Sequence, residues 1–248
     1  MRLKNKVGIV TGGAAGIGRG IALAMAKEGA HIAIVDINEE NGQKTLEELN
    51  SHAEGMLFIE DISKRENIEK IVEKVVDKFG KLDILVNNAH ASRQAPFTET
   101  TMDMLGLSFN TGFYPTFNFM QVAYPELKKN KGKVINFASG AGINGQPTQA
   151  SYAAAKEAIR GITRVAANEW GEDGINVNNI SPIALTEGVE QWRENFPELY
   201  EDTVNKIPMK RMGNPEKDIG RIAVFLASED ADFITGQTIM SDGGSTKL

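Results

Sequence analysis

The stretch that decides the fold is VGIVTGGAAGIGRG, residues 7–20. Its apolar residues 7–10 predict a short buried strand, and Gly12, Gly16 and Gly18 follow directly. Glycines at a turn from a strand into a helix let backbone N–H groups approach a pyrophosphate at the helix N-terminus. Because glycine also occurs in ordinary turns, these residues alone do not distinguish a phosphate-binding turn from an ordinary one.

Short apolar runs alternate with longer helical patterns along the whole chain. After residues 7–10, runs of strand length lie at residues 31–36, 56–61, 82–88, 133–139, 175–181 and 238–242. The segment after the glycines has helical periodicity, with Ile17, Ile21 and Met25 on one face and an end at Gly29. Buried strands that alternate with helices indicate a parallel sheet covered on both faces. We predict a single α/β domain over residues 1–248, with a Rossmann-type, doubly wound, mostly parallel sheet of seven strands.

Composition excludes several classes of function. The chain of 248 residues has a net charge of −6, which argues against nucleic-acid binding because that usually needs a basic face. It has no cysteine, and its three histidines lack the spacing of metal ligands, so we expect no metal site. Its N-terminal apolar run is too short for a signal peptide, and no run of about 18 apolar residues suggests a membrane span. We therefore expect a cytoplasmic protein.

An acidic residue ends the second predicted strand, about 20 residues beyond the glycine turn. This residue, Asp36, is placed to accept hydrogen bonds from an adenosine ribose and to repel a 2′-phosphate. A simple helix cap before the sequence INEEN is the alternative. We favour the ribose role, which predicts NAD(H) rather than NADP(H).

Residues 185–214 interrupt the alternation of strands and helices. They contain charged residues, aromatic residues and prolines, but no strand pattern. In an open α/β sheet, an insert beyond the carboxyl end of a strand is placed to cover a ligand crevice. We predict that this insert is a lid over the substrate.

The sequence YAAAK, residues 152–156, places a phenol and an ammonium one helical turn apart with only alanines between them. Positions i and i+4 lie on the same face of a helix, so Tyr152 and Lys156 would stand side by side. An amphipathic helix with two solvated polar residues would show the same spacing, so this motif alone does not decide the matter.

Taken together, these motifs resemble the classical short-chain dehydrogenase/reductase family over nearly the whole chain. TGGAAGIG at residues 11–18 fits the family's TGxxxGxG, and NNAH at 87–90 fits its NNAG at three of four positions. Ser139 stands thirteen residues before Tyr152 of the YxxxK motif. The sequence ITGQTIMSDGG, residues 234–244, is similar to the family's C-terminal strand.

The resemblance implies three catalytic residues, Ser139, Tyr152 and Lys156. Tyr152 would be the acid/base that exchanges a proton with an alcohol or carbonyl oxygen, and Ser139 would orient that oxygen. A free phenol has a pKa of about 10, so a neighbouring ammonium and a positive nicotinamide ring would be needed to lower it. Lys156 would therefore lower the pKa of Tyr152 and also bind the nicotinamide ribose.

The resemblance also implies the residues that hold the cofactor. Asp61 and Ile62 would flank the adenine, Asn88 would close the site through its backbone, and residues 182–186 would wrap the nicotinamide carboxamide. The full set of expected cofactor-binding residues is Gly12, Gly16, Ile17, Gly18, Asp36, Asp61, Ile62, Asn88, Tyr152, Lys156, Pro182 and Thr186.

The sequence departs from the family pattern at three places. His90 replaces the glycine of NNAG, and we expect it to pack or to cap a turn at the pocket rim. Ile183 follows Pro182 where glycine is usual, and Thr186 comes one residue early. The asparagine that commonly supports a proton relay falls on Gly112, so either Asn110 or a backbone carbonyl near Gly112 would order the water.

These features predict an NAD(H)-dependent oxidoreductase that interconverts a secondary alcohol and a ketone. A 3-oxoacyl-carrier-protein reductase and a sugar or polyol dehydrogenase are alternatives within the class. A regulator that binds the cofactor without turnover is an alternative from another class, and the intact Ser139, Tyr152 and Lys156 argue against it. The resemblance also implies a homotetramer.

Overall fold

The computed structural model describes residues 1–247 and contains one sheet of seven strands. Every neighbouring pair in the sheet is parallel, in the order β3-β2-β1-β4-β5-β6-β7. The strands are β1 (Val7–Thr11), β2 (His31–Asp36), β3 (Gly55–Ile59), β4 (Ile84–Asn87), β5 (Lys133–Phe137), β6 (Asn176–Pro182) and β7 (Thr238–Ser241). The predicted doubly wound fold is confirmed, and all seven predicted strands are present.

Helices cover both faces of the sheet. They are α1 (Gly16–Lys27), α2 (Glu39–Asn50), α3 (Arg65–Phe79), α4 (Met102–Ser108), α5 (Tyr114–Asn130), α6 (Gly140–Asn144), α7 (Ala150–Trp170), α8 (Glu187–Asn195), α9 (Pro197–Lys206) and α10 (Arg221–Ala227). Two π-helical segments, Phe109–Phe113 and Pro215–Gly220, lead into α5 and α10. Side chains from both faces of the sheet and the covering helices form two hydrophobic clusters, one including Ile21 and Met25 of α1 and the other including Phe119 of α5.

The strand order places a ligand crevice between β1 and β4. The chain moves outward from β1 through β2 to β3, then returns to the other side of β1 and continues from β4 to β7. Loops that leave the carboxyl ends of β1 and β4 therefore diverge, and in open α/β sheets ligands bind at such a point. Gly12, Asn88 and Ser139 all follow strands at this edge.

Three asparagines lie in register on neighbouring strands in the middle of the sheet. Asn136 of β5 pairs with Asn87 of β4 on one side and with Asn179 of β6 on the other. The Asn87 amide donates to Asn136 Oδ1 at 2.8 Å, and the Asn136 amide donates to Thr163 Oγ1 of α7 at 2.9 Å. Because all four side chains are buried, these hydrogen bonds fix α7 against the sheet at a defined position.

The insert at residues 185–214 consists mainly of α8 and α9, and within it the structure assigns no strand. None of the residues of these two helices is buried, although Trp192 and Tyr200 pack ring against ring across them at 5.7 Å. The insert is therefore held to the domain by its two ends rather than by a buried face. Among the described residues, no helix has both the length and the apolar character required to cross a bilayer.

Candidate active site

The turn after β1 has a backbone that requires glycine. Gly12 and Gly16 have φ values of 65° and 54°, which side chains rarely tolerate. Gly18 is required for a different reason, because a Cβ there would lie 2.1 Å from the carbonyl oxygen of Gly12. Half-buried Ile17 packs against the core and anchors the first turn of α1. The tight turn from β1 into α1 therefore depends on these three glycines.

The N-terminus of α1 leaves backbone donors for a ligand. Its N-cap, Ala15, has no side chain that could accept their hydrogen bonds. The Gly16 N–H instead donates to the Glu187 carboxylate at 3.0 Å, from the start of α8. An anion is thus bound where the dipole of α1 favours negative charge. Thr186 lies in the same contact, because a Cβ at Gly16 would be 3.3 Å from its methyl group.

Asp36 lies at the end of β2, beside the glycine turn. It accepts hydrogen bonds from the N–H groups of Ala14, at 3.1 Å, and of Ile37 and Asn38. The side chain that caps α2 is Asn38, which accepts from the Asn41 N–H, so the cap role considered for Asp36 belongs to Asn38.

A cavity of about 280 Å³ opens beside Asp36. Its lining includes Gly12, Asp36, Asp61, Ile62 and His90, so it extends from the glycine turn to the segment after β4. The backbone N–H of Ser63 lowers the pKa of Asp61 by hydrogen bonding to its carboxylate. The cavity has an acidic end and an apolar wall, which fits the ribose and adenine of a dinucleotide.

Asn88 joins the loops of β1 and β4. Its backbone N–H donates to Thr11 Oγ1 at 3.0 Å, and its side-chain amide donates to the carbonyl oxygens of Thr11 and Gly12. Asn88 therefore shapes the glycine turn with its side chain as well as with the backbone that sequence analysis considered.

Tyr152 and Lys156 lie together near the start of α7. Lys156 Nζ is 5.6 Å from the centre of the Tyr152 ring, and the lysine is only 4% exposed. Ser139 is the N-cap of α6, where its Oγ accepts from the Ala141 N–H at 3.1 Å and keeps its own proton for donation. The structure thus brings together the three residues that sequence analysis assigned to catalysis.

At this site the pKa of Tyr152 lies above its ordinary value and the pKa of Lys156 lies below it. Burial raises the pKa of the Tyr152 phenol, and a hydrogen bond with Ser139 lowers it by less. Burial also lowers the pKa of Lys156 to about 7, which removes much of its charge near neutral pH. In the protein without cofactor, burial therefore outweighs any lowering of the pKa of Tyr152 by the lysine.

The end of β6 lies next to the glycine turn. Pro182 is the last residue of that strand, and the Ile183 N–H donates to the carbonyl oxygen of Ser241 in β7. Thr186 then caps α8 by accepting from the Val189 N–H at 3.4 Å. This path brings residues 182–186 to the mouth of the crevice.

The two candidates for the proton relay have different surroundings. Asn110 is exposed, whereas Gly112 is buried in the π-helical segment Phe109–Phe113. The Gly112 carbonyl oxygen already accepts a hydrogen bond from Thr116 Oγ1 at 2.8 Å. Gly112 lies beside His90, because a Cβ at residue 112 would be 2.7 Å from His90 Nδ1.

A glycine turn at the carboxyl edge of a parallel sheet, with a half-buried tyrosine and a buried lysine, points to one family, and a comparison with family models identifies it. Residues 12–246 match the model described as enoyl-(acyl carrier protein) reductase, which belongs to that family. The chain belongs to the short-chain dehydrogenase/reductase family. This short-chain dehydrogenase/reductase is therefore an oxidoreductase that acts on CH–OH groups or ketones with a nicotinamide cofactor.

Relatives with stated activities cover almost the whole chain. The 12alpha-hydroxysteroid dehydrogenase of Clostridium sp. is 44% identical, over 96% of this chain and 96% of the relative. A 3-oxoacyl-acyl-carrier-protein reductase of Thermotoga maritima is 36% identical, over 98% and 99%. The solved structure of levodione reductase matches with a TM-score of 0.92 and 29% identity, over 98% of both chains.

Two contacts within the site were not expected from the sequence. Glu187 binds the glycine turn, and His90 packs against Tyr152 with 4.9 Å between ring centres. No motif marks the glutamate, because its partner is a backbone N–H 171 residues away. The position of His90 could have been suspected, because the sequence departs from the family pattern at residues 90 and 112 and these two residues lie against each other.

Proposed function

We propose that this protein is an NAD(H)-dependent oxidoreductase that interconverts a secondary alcohol and a ketone, with Tyr152 as acid/base. The observation that carries the proposal is a half-buried phenol and a buried amine, 5.6 Å from ring centre to Nζ. The phenol is hydrogen-bonded to Ser139 and packs against His90, which lines the same cavity as Gly12. Buried ionisable groups with shifted pKa values are typical of catalytic acids and bases.

Each residue has a distinct task in the proposed reaction. The bound nicotinamide supplies or accepts the hydride. Ser139 donates a hydrogen bond to the substrate oxygen and holds it against the phenol. Tyr152 gives its proton to the carbonyl oxygen during reduction and takes it back from the alcohol during oxidation. Lys156 binds the nicotinamide ribose and, when charged, stabilises the phenolate.

The assignment of NAD(H) rests on Asp36. Its carboxylate lies at the end of β2 and lines the cavity that we assign to the adenosine. A carboxylate accepts hydrogen bonds from two ribose hydroxyls, whereas it repels a 2′-phosphate. Gly12, Gly16, Ile17 and Gly18 would form the pyrophosphate turn, and Asp61, Ile62, Asn88, Pro182 and Thr186 would complete the cofactor site.

We assign residues 185–214 to a lid over the substrate. Helices α8 and α9 carry no buried residue, so few contacts oppose their movement. Large apolar side chains on or beside this segment are exposed, with Phe196 at 58% and Leu199 at 55%. An apolar substrate of some size would give these side chains a partner.

The names of the relatives set the order in which substrate classes should be tested. A ketosteroid comes first because the 12alpha-hydroxysteroid dehydrogenase has the highest identity of the relatives described above. A 3-oxoacyl thioester and diacetyl follow, since relatives with these activities are 36% and 35% identical. A polyol completes the panel.

The experiment is NADH oxidation by purified protein with each ketone, and NAD reduction with each alcohol. Wild type should turn over at least one of them, and Tyr152→Phe should reduce kcat at least about 1,000-fold, because it removes the acid/base but not the ring. NADH affinity should change little. If wild type binds NADH and turns over none of the panel, the regulator becomes the better proposal.

A homotetramer is proposed from an exposed face of α5 and α7. Phe117 and Val165 are 40% and 55% exposed there, at the edge of a groove that also contains Tyr124 and Trp170. Apolar surface of this kind is typical of an interface between subunits. Light scattering of the purified protein measures the assembly, and a monomer would contradict the proposal.

A further inference from the structure

A histidine ring separates the proposed cofactor cavity from the catalytic tyrosine, and the reaction described above gives it no task. The centre of the His90 ring is 4.9 Å from the centre of the Tyr152 ring, and the two planes are inclined at 48°. The same side chain lines the cavity that contains Asp36 and Asp61. The ring is therefore a wall shared by the two parts of the site.

The orientation of this ring is fixed from behind. Its Nε2 lies 2.7 Å from the hydroxyl of Ser108, which is fully buried at the end of α4. The next residue, Ala91, donates its N–H to Thr111 Oγ1 at 2.9 Å. The segment after β4 is thus attached to the helices beside it, with the imidazole between them and Tyr152.

The ring fits only because residue 112 has no side chain. A Cβ on Gly112 would lie 2.7 Å from His90 Nδ1, 2.8 Å from Cε1 and 3.1 Å from Cγ. Real Cβ atoms essentially never approach other atoms below 3.0 Å, so any other residue at 112 would displace the imidazole. His90 and Gly112 therefore form a complementary pair.

The ring is held in its neutral form. Burial lowers the pKa of His90 to about 2, and the charge of Lys156 contributes in the same direction. The carboxylates of Asp36, Glu60 and Asp61 line the same cavity but form no hydrogen bond with the ring. Its Nδ1 is buried and has no hydrogen-bond partner among residues 1–247. A ring that stays neutral over the working pH range does not exchange protons with Tyr152.

We propose that His90 is a positioning residue whose ring packs against Tyr152, holds the phenol in its reacting orientation and keeps water from it, with Gly112 providing the space. This inference rests on the proposed function only in naming Tyr152 as the acid/base. The contacts themselves are independent of the substrate.

Loss of the His90 ring should change the ionisation of Tyr152, which loss of a merely structural residue would not do. Burial is the main cause that raises the pKa of Tyr152. Removal of the imidazole opens space for water beside the phenol, so the phenolate is better solvated. His90→Ala should therefore lower the pKa of Tyr152.

The first experiment measures the phenol directly and needs no turnover. Protein labelled with 13Cζ-tyrosine is titrated by NMR from pH 6 to 11, and Tyr152 is assigned by its loss in Tyr152→Phe. The Tyr152 resonance should titrate at lower pH in His90→Ala than in wild type. His52→Ala, which removes an exposed histidine, should leave the titration unchanged. If the resonance behaves identically in wild type and His90→Ala, including no ionisation in either, the proposal is wrong.

The second experiment is kinetic and uses NADH with whichever of the ketosteroid, 3-oxoacyl thioester or diacetyl the panel selects. His90→Ala and Gly112→Ala should each lower kcat at least about tenfold with smaller effects on KM, since a displacement near 1 Å can cost about 100-fold. Once the ring is absent, the methyl group at 112 has nothing to displace. The double variant His90→Ala/Gly112→Ala should therefore lie within about threefold of His90→Ala.

A third variant separates packing from imidazole chemistry. His90→Phe retains an aromatic ring, loses the bond to Ser108 and leaves no unpartnered nitrogen, so it should recover most of the kcat lost in His90→Ala. Equal losses in His90→Phe and His90→Ala, with both variants folded by circular dichroism, would show that the nitrogen atoms act and would overturn the proposal. Absence of turnover in wild type would count against the proposed function alone, because the NMR titration is still decisive for His90.

Discussion

The carboxylate of Glu187 accepts a hydrogen bond from the backbone N–H of Gly16 at 3.0 Å. This N–H belongs to the helix terminus that we assign to the cofactor pyrophosphate, and Glu187 begins the first helix of the segment that we propose as a lid. The glutamate and the pyrophosphate would therefore compete for one donor, and binding of the cofactor would release the lid from the glycine turn.

Glu187→Gln should strengthen cofactor binding. The amide oxygen still accepts from Gly16, but the negative charge that opposes the pyrophosphate is gone. We expect the Kd for NADH to fall about threefold to tenfold, the size of a single charge effect at a helix terminus. Fluorescence titration measures it, and Glu190→Gln is a matched control on the same exposed helix. Weaker binding in Glu187→Gln would mean that the carboxylate supports the cofactor rather than competing with it.

Asp36 should determine the choice between NADH and NADPH. Asp36→Asn keeps an oxygen for the backbone donors but removes the charge that repels a 2′-phosphate. We expect the ratio of kcat/KM for NADH to that for NADPH to fall about tenfold or more. Glu60→Gln removes a charge from the lining of the same cavity and should change the ratio much less. Equal use of both cofactors by wild type would contradict the assignment of Asp36.

Lys156 should reduce the stability of the protein in a pH-dependent way. Its pKa is lowered from the ordinary value of 10.5 to about 7 by burial, so the native state binds the proton less tightly than the unfolded state. The cost is complete below pH 7, decreases as pH rises from 7 to 10.5, and is absent above that range. Stability therefore rises with pH over this interval.

Lys156→Met removes that cost while abolishing turnover. The variant should be more stable than wild type in urea at pH 6, and the difference should shrink at pH 10. Both measurements are made without cofactor, because binding stabilises only the native state. A variant that is less stable than wild type at pH 6 would show that the amine is well accommodated in its site.

The strands and the catalytic motif could be predicted because their signals are local. Apolar runs between turns predicted all seven strands, although β4 begins at Ile84 rather than at Leu82. The spacing of Tyr152 and Lys156 fixes them on one helical face, so their proximity needs no tertiary information. The alternation of strands and helices also predicted a doubly wound parallel sheet, but not the order of its strands.

Contacts between distant segments could not be predicted. The displacement of the imidazole by any side chain at residue 112 depends on how the π-helical segment meets α7. Burial, which raises the pKa of Tyr152 in the protein without cofactor, also depends on the complete packing. A pattern identifies which groups are neighbours along a helix, but it does not show how much solvent they lose.

The asparagine ladder formed by Asn87, Asn136 and Asn179 should contribute to the stability of the protein as well as to its activity. Asn136 is fully buried, accepts from the Asn87 amide and donates to Thr163 of α7. Asn136→Leu would leave the Asn87 amide without a hydrogen-bond partner inside the core, which costs about 1–3 kcal/mol. It would also remove a donor from Thr163, whose hydroxyl keeps its bonds to Ile159 and Asn179. Since Thr163 and Tyr152 share α7, we expect the loss of this contact to loosen the helix and to lower kcat as well as the urea midpoint.

Asn205→Leu replaces an exposed asparagine and should change the unfolding free energy by less than about 0.5 kcal/mol. An unchanged urea midpoint in Asn136→Leu would show that the ladder contributes nothing to holding α7 on the sheet.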